Sequence, residues 1–217
     1  MADIKITKDL LKPFVSQDET RPGLTDIFRQ YGYVVASDGH IMIRIPENMV
    51  DDWYNIIQKN HPNSESIIPK ELPWNKPFTK GCLKKALAKA AKVDEKIKCQ
   101  DCQGSGMVEW TYESQDGREY TDKFKCPVCQ GKGNLGITGR LVPDPEQLYS
   151  FAGGIMNTEC LNDLIRVMDT FKVKKITLRS SDNFKAMFTI GRIQVLKAFV
   201  VIEGEDKPLL EKIINIK

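Results

Sequence analysis

The sequence predicts an α+β fold: an antiparallel sheet with helices on one face, interrupted by a small cysteine-bearing β-hairpin. Three observations carry this expectation. Residues 148–202 read in the order strand, helix and three strands. Residues 25–45 read as two strands joined by a turn. Between these stretches stand two copies of the pattern Cys-x-x-Cys-x-Gly-x-Gly, at Cys99–Gly106 and Cys126–Gly133.

The elements follow in order. Thr7 caps a short helix over 9–14, kept short by Pro13. After Pro22-Gly23, residues 25–36 are aromatic and β-branched and predict one strand. Ser37-Asp38-Gly39 turns the chain, and 40–45 alternates as a second strand. Residues 80–98 predict a Lys-rich helix. Lys85, Lys89, Lys92 and Lys96 share one of its faces, and Leu83, Ala86, Leu87 and Ala90 form the apolar side. After the first cysteine pair, Val108, Trp110 and Tyr112 alternate. Gln115-Asp116-Gly117 turns, and 120–125 returns. Residues 148–156 read as a strand. Asn157 or Thr158 then caps a helix to Phe171, with Leu161, Leu164, Ile165, Met168 and Phe171 at helical spacing. Strands are expected over 174–180, 184–190 and 192–202. The tail, 207–217, reads equally as a strand or a short helix. Domain organisation is expected as 1–78, a helix and cysteine module at 79–140, and 141–217.

Composition narrows the function. Of 217 residues, 41% are hydrophobic and 28% charged, which suits a packed core and not a disordered chain. A net charge of +3 is too small by itself to imply nucleic acid. No apolar run approaches the ~20 residues of a membrane span. The N-terminus lacks the basic-then-apolar pattern of a signal peptide, so a cytoplasmic location is expected. Six Cys in such a chain point to metal or free thiols before disulfides. There is no P-loop, no dinucleotide-binding glycine motif and no Ser-His-Asp order, so the expectation is a protein that is not an enzyme. His40 beside Asp38 reads as a turn pair. Cys82 and Cys160 read as small core residues. Trp53, Trp74 and Trp110 read as packing residues before base-stacking ones.

The cysteine repeats carry the strongest chemistry. Each Cys-x-x-Cys turn presents two thiolates to one ion, and two turns make a tetrahedral site from Cys99, Cys102, Cys126 and Cys129. The glycines permit positive φ and let backbone N–H groups approach the sulfurs. One structural Zn2+ per chain is expected, over a redox pair or an iron–sulfur centre. Four thiolates leave no open position for catalysis.

These two repeats resemble the cysteine-rich zinc region of DnaJ-type co-chaperones, which carries four repeats and two zinc ions. The resemblance covers 99–133 and implies one zinc here. The only His-Pro, at 61–62, is followed by Asn63, so the J-domain signature is absent. The flanks resemble a second family, the bacterial DNA polymerase III beta sliding clamp. Val35-Ala36-Ser37-Asp38-Gly39-His40 is similar to its strand–turn motif. The stretches 61–70, 81–91 and 149–202 resemble further segments in the same order. This implies a domain of repeated β-α-β-β-β units, a role in DNA replication or maintenance, and binding to double-stranded DNA or replication proteins. Lys85, Lys89, Lys92 and Lys96 are then the candidate DNA contacts, through a salt-sensitive grip on phosphates. The helix at 158–171, with Glu159, Asp163 and Asp169 against Arg166, would repel DNA. The alternative is a co-chaperone-like zinc module that binds protein and never meets DNA. A monomer or small dimer is expected over a ring, with 192–202 as a sheet edge covered by the tail.

Overall fold

The computed structural model describes residues 6–18, 20–52, 56, 61–69, 75–151, 153–182, 184–200 and 213–216. The chain divides into two compact units, Met1–Ala90 with Pro145–Lys217, and Ala91–Asp144. The first unit begins with β1 (Phe28–Gln30), β2 (Tyr33–Ser37), β3 (Ile41–Pro46), β4 (Lys76–Thr79) and α1 (Lys80–Ala88). The second contains β5 (Lys92–Lys98), β6 (Met107–Glu113), β7 (Glu119–Lys125) and β8 (Asn134–Pro143). The chain returns to the first unit with β9 (Leu148–Phe151), β10 (Gly154–Asn157), α2 (Thr158–Thr170), β11 (Lys175–Ser181), β12 (Lys185–Ile190), β13 (Ile193–Ala198) and β14 (Ile214–Asn215).

The fold of the first unit is α+β. Its main sheet has seven strands in the order β1-β2-β3-β13-β12-β11-β4, and every neighbouring pair is antiparallel. A smaller sheet, β10-β9-β14, includes one parallel pair, β14 with β9. The helices share a core with one face of the main sheet. Leu83 from α1 and Leu161, Leu164 and Met168 from α2 join Ile43, Ile176, Leu178, Phe188 and Val195. Each such side chain, fully buried, contributes about 1.5–3 kcal/mol. The opposite face carries a smaller cluster of Phe28, Val35, Met42, Met187 and Leu196, against which Ile68 packs. Arg44 is buried there. It donates to Gln194 Oε1 at 3.0 Å, pairs with Glu65 and lies over the Tyr33 ring.

Local signals account for much of this unit. The α2 start is as expected, because Asn157 Oδ1 accepts the Cys160 N–H at 3.0 Å. Thr79 caps α1 in the same way. Asp38 Oδ1 accepts the backbone N–H groups of His40 and Ile41, both at 2.8 Å, which makes the Asp38–His40 stretch a turn. Cys160 is buried and Cys82 is partly buried against the same core.

Four expectations are corrected. Residues 25–36 form two strands, because Tyr31 and Gly32 both take positive φ (52° and 76°) and fold β1 back on β2. Such a turn matches the twist of the strands it joins. The expected strand 148–156 is likewise a hairpin, β9 with β10. Lys8–Phe14 is a 3-10 helix, and Thr7 makes no side-chain cap. The described part of the stretch 192–202 is no sheet edge: β13 lies inside the main sheet between β3 and β12. Among the described residues the edges are β1, only three residues long, and β4, which carries Lys76 and Pro77. Short length, Lys and Pro are the features that discourage edge-to-edge pairing. The tail's described part, β14, pairs with β9, while 201–212 and the tryptophans at 53 and 74 lie outside the described residues. No described helix is long and apolar enough to cross a membrane.

In the second unit, β5 pairs with β8 and β6 with β7, all antiparallel. The helix expected over 80–98 therefore stops at Ala88. Lys92 and Lys96 stand on β5, whereas Lys85 lies on α1 and Lys89 is its C-cap. The reason is a distant partner. Val93 aligns with Val142 and Lys96 with Ile137, and Glu95 accepts hydrogen bonds from Thr138 at 2.9 Å and Arg140 Nε at 3.0 Å. The helix consequently belongs to the first unit, and the insert is Ala91–Asp144 in place of the expected 79–140.

Candidate metal centre

Two near-identical knuckles build the site. In each, the residue after the second cysteine and the next glycine take positive φ: Gln103 and Gly104, then Gln130 and Gly131. This reverses the chain so that a later N–H faces the sulfur. Gly106 donates to Cys102 Sγ at 3.3 Å, and Gly133 donates to Cys129 Sγ at 3.2 Å. Gly104 N–H bonds the Cys99 carbonyl and Gly131 N–H the Cys126 carbonyl, both at 3.1 Å.

The knuckles also exchange backbone bonds. Cys99 N–H donates to Gly133 O at 3.0 Å, and Cys126 N–H donates to Gly106 O at 2.7 Å. Gly106 and Gly133 are required for this approach. A Cβ on Gly106 would overlap the Gly131 carbonyl oxygen, and one on Gly133 would overlap that of Gly104. Both residues also hold positive φ, 75° and 73°. The repeated pattern thus encodes one two-fold arrangement.

The result brings all four sulfurs within 4.8 Å of one another, each cysteine buried. Cys99 Sγ lies 3.8 Å from Cys126 Sγ, and Cys102 Sγ 3.7 Å from Cys129 Sγ. Metal–sulfur bonds of about 2.3 Å in a tetrahedron imply sulfur separations of ~3.8 Å. The donor set therefore fits a four-thiolate metal ion. The N–H···S bonds favour thiolates and orient them. The Cys102 N–H lowers the Cys99 thiol, but burial and the Cys102 and Cys126 thiols outweigh it and bring it up to about 11. Burial raises Cys102, yet the Gly106 and Gly104 N–H groups and the thiols of Cys129 and Cys99 bring it down to about 7. Full ionisation would set four negative charges within 4.8 Å of one another, and a cation relieves that repulsion.

The expected hairpin between the knuckles is present as β6 and β7. Val108 packs against the cysteine cluster. Trp110 does not pack inside the module as expected: it is 59% exposed. Taken singly, its place in the sequence does not reveal that cross-strand pairing puts it on one face with Tyr112, Tyr120 and Phe124. The alternation of residues 108–112 is the signal that could have found this face.

Of the expected DNA-contacting lysines, Lys85 and Lys89 are exposed on or beside α1, and Lys84 joins them. None of the three has a carboxylate partner among the described residues. The acidic character expected of α2 is largely cancelled. Lys197 Nζ meets Asp163 at 2.7 Å, Arg166 meets it at 2.8 Å, and Lys80 pairs with Asp169.

No protein-family model and no curated protein matches the chain. Solved structures do. The chain is similar to Caulobacter crescentus pol III beta, at 12% identity over 89% of this chain and 63% of that one, with a TM-score of 0.45. It is similar to a DnaN sliding clamp (DNA polymerase III subunit beta) from Bartonella birtlesii bound to griselimycin, at 12% identity over 89% and 62%, with a TM-score of 0.47. It is also similar to a Helicobacter pylori beta clamp bound to a DNA ligase peptide, at 11% identity over 89% and 62%, with a TM-score of 0.43. The chain therefore spans a little over three-fifths of the length of the clamp chains it matches.

Proposed function

We propose that this chain is a non-enzymatic, sliding-clamp-like accessory protein of DNA replication or maintenance. In this reading its first unit binds double-stranded DNA or replication proteins. Its second unit is stabilised by one structural zinc ion on Cys99, Cys102, Cys126 and Cys129. The motif order in the flanks and the run β10-α2-β11-β12-β13 agree with a clamp domain's β-α-β-β-β unit. The observation that carries the DNA reading is the α1 surface. Leu83 and Ala86 are buried while Lys84, Lys85 and Lys89 face solvent. The carboxylates of α2 that would oppose DNA are mostly held by Lys and Arg. Zinc is favoured over iron because four thiolates in a closed tetrahedron suit an ion that needs neither redox nor an open position. A monomer or small dimer belongs to the same proposal, given the blunted edges β1 and β4.

The test is duplex binding measured against salt. Lys84, Lys85 and Lys89 changed together to Glu should weaken binding. The change should also flatten the log–log salt slope by about 0.9 for each phosphate no longer neutralised. An absence of salt-dependent duplex binding by the unaltered chain would overturn the DNA reading. Metal analysis of the purified protein decides the ion separately: one zinc per chain is expected, and iron would refute the assignment.

A further inference from the structure

The β6–β7 hairpin leaves one face uncovered. In the ladder, Val108 stands opposite Phe124, Trp110 opposite Asp122 and Tyr112 opposite Tyr120. Side chains of directly opposed residues share a face. All four rings are therefore on one side, and the 6.3 Å edge-on approach of Trp110 and Phe124 agrees. The approach of the Thr111 and Thr121 hydroxyls marks the other side. The rings are 51–66% exposed. Unsupported aromatic faces of this extent mark interaction sites. Val108 packs against the cysteine cluster and so ties this face to the knuckles.

Three features select the occupant. The first is charge: residues 107–125 carry five acidic side chains against three basic ones. Single-stranded nucleic acid stacks on aromatic platforms only where the surroundings are basic, so it is disfavoured here. The second is Asp122, which stands on the same face opposite Trp110 and whose carboxylate accepts the Lys123 N–H at 2.7 Å. Aromatic faces beside a carboxylate attract cations. The third is spacing. Among the described residues β6 and β7 pair only with each other, and each has an open outer edge there. The cross-strand pairs repeat every second residue, about 7 Å, the interval at which an extended peptide presents alternate side chains.

We propose that this face binds an extended polypeptide segment in which Lys or Arg alternates with apolar residues. The backbone would add to a hairpin edge while cationic side chains lie over Trp110 and the tyrosines beside Asp122. This inference does not depend on α1 meeting DNA.

The experiment uses the full, metal-loaded chain and fluorescence anisotropy. The probes are a labelled peptide of alternating Val and Lys, the same peptide with Glu for Lys, and a labelled oligothymidylate. The Val/Lys peptide should bind and the other two should bind much more weakly. Trp110→Ala and Asp122→Asn should each weaken it about 5–10-fold, with metal content unchanged. The Glu variant of Lys84, Lys85 and Lys89 should bind the peptide normally, which separates this inference from the DNA reading. Equal binding of all three probes, preference for the oligothymidylate, or no loss in the two hairpin variants would overturn it. Should Trp110→Ala lose metal, Asp122→Asn, which removes only a charge, decides.

Discussion

Phe14, Ile43, Leu164 and Phe188 of the first unit are wholly shielded from solvent, as parts of one extended apolar core. Among the described residues of Ala91–Asp144, the only buried side chains are those of Cys99, Cys102, Cys126 and Cys129. One unit excludes water from hydrocarbon, and the other gathers four thiols around a point. A 54-residue hairpin assembly has little apolar surface to bury, and small modules of this kind rely on metal for folding energy. The same difference explains the exposed rings of β6 and β7. A strand face that is not needed for a core is left free for contact.

The largest effect that would break this comparison comes from the metal. Cys126→Ser should abolish stoichiometric metal binding and loosen 95–135, while α2 and the seven-stranded sheet stay folded. Structural zinc supplies roughly 10–16 kcal/mol in small modules at neutral pH, more than such a unit can replace. Hydrogen exchange resolved by segment checks it, and protection retained in β6 and β7 would refute it. Acid should act in the same direction. The metal-free thiols take up protons that the bound thiolates lack, so metal affinity falls as pH falls.

A smaller effect should run the opposite way. Leu164→Ala opens a cavity between α2 and the sheet and should cost about 2–5 kcal/mol in the first unit. Metal content and protection of the cysteine knuckles should not change. Denaturation followed by both probes would show whether the two units are as independent as their chemistry suggests.

The smallest expected effect sharpens the account of β5. The Arg140 guanidinium and the Thr138 hydroxyl hold the Glu95 carboxyl below its ordinary range. Its contribution to the β5–β8 ladder is therefore present above the ordinary carboxylate pKa and lost as pH falls through the lowered value. Glu95→Gln should raise hydrogen exchange in β5 and β8 at neutral pH, with the ratio to the unaltered chain falling toward one in acid. An unchanged rate at neutral pH would show that the ladder stands without this ion pair.

The residues that sequence reading places well share one property: their determinants are close in the chain. The knuckles are an example, since Cys99 to Gly106 contains one cysteine pair, its positive-φ positions and the N–H donor to sulfur. The β6–β7 hairpin is legible from the alternation at 108–112 and the turn at 115–117. So are α2, from Asn157 and its apolar spacing, and β11 to β13, from their alternation and turns. The Lys-rich stretch misleads because Lys85, Lys89, Lys92 and Lys96 fit helical spacing, while Lys92, Asp94, Lys96 and Lys98 equally fit a strand's period of two. What chooses the strand is β8, which nothing near residue 92 announces.

The amino-acid sequence by itself determined which four cysteines converge, the two knuckle turns, the hairpin that joins them and the order of elements around α2. Each is a short-range matter of φ, hydrogen-bond reach and hydrophobic period. Tertiary structure decided where the helix at Lys80 ends and that β13 lies inside the sheet and not at its edge. It also paired Asp169 and Asp163 of α2 with Lys80 and Lys197 from elsewhere in the chain. Each of these depends on a partner distant in sequence, and a backbone edge or a charge carries no local mark of the partner that will reach it.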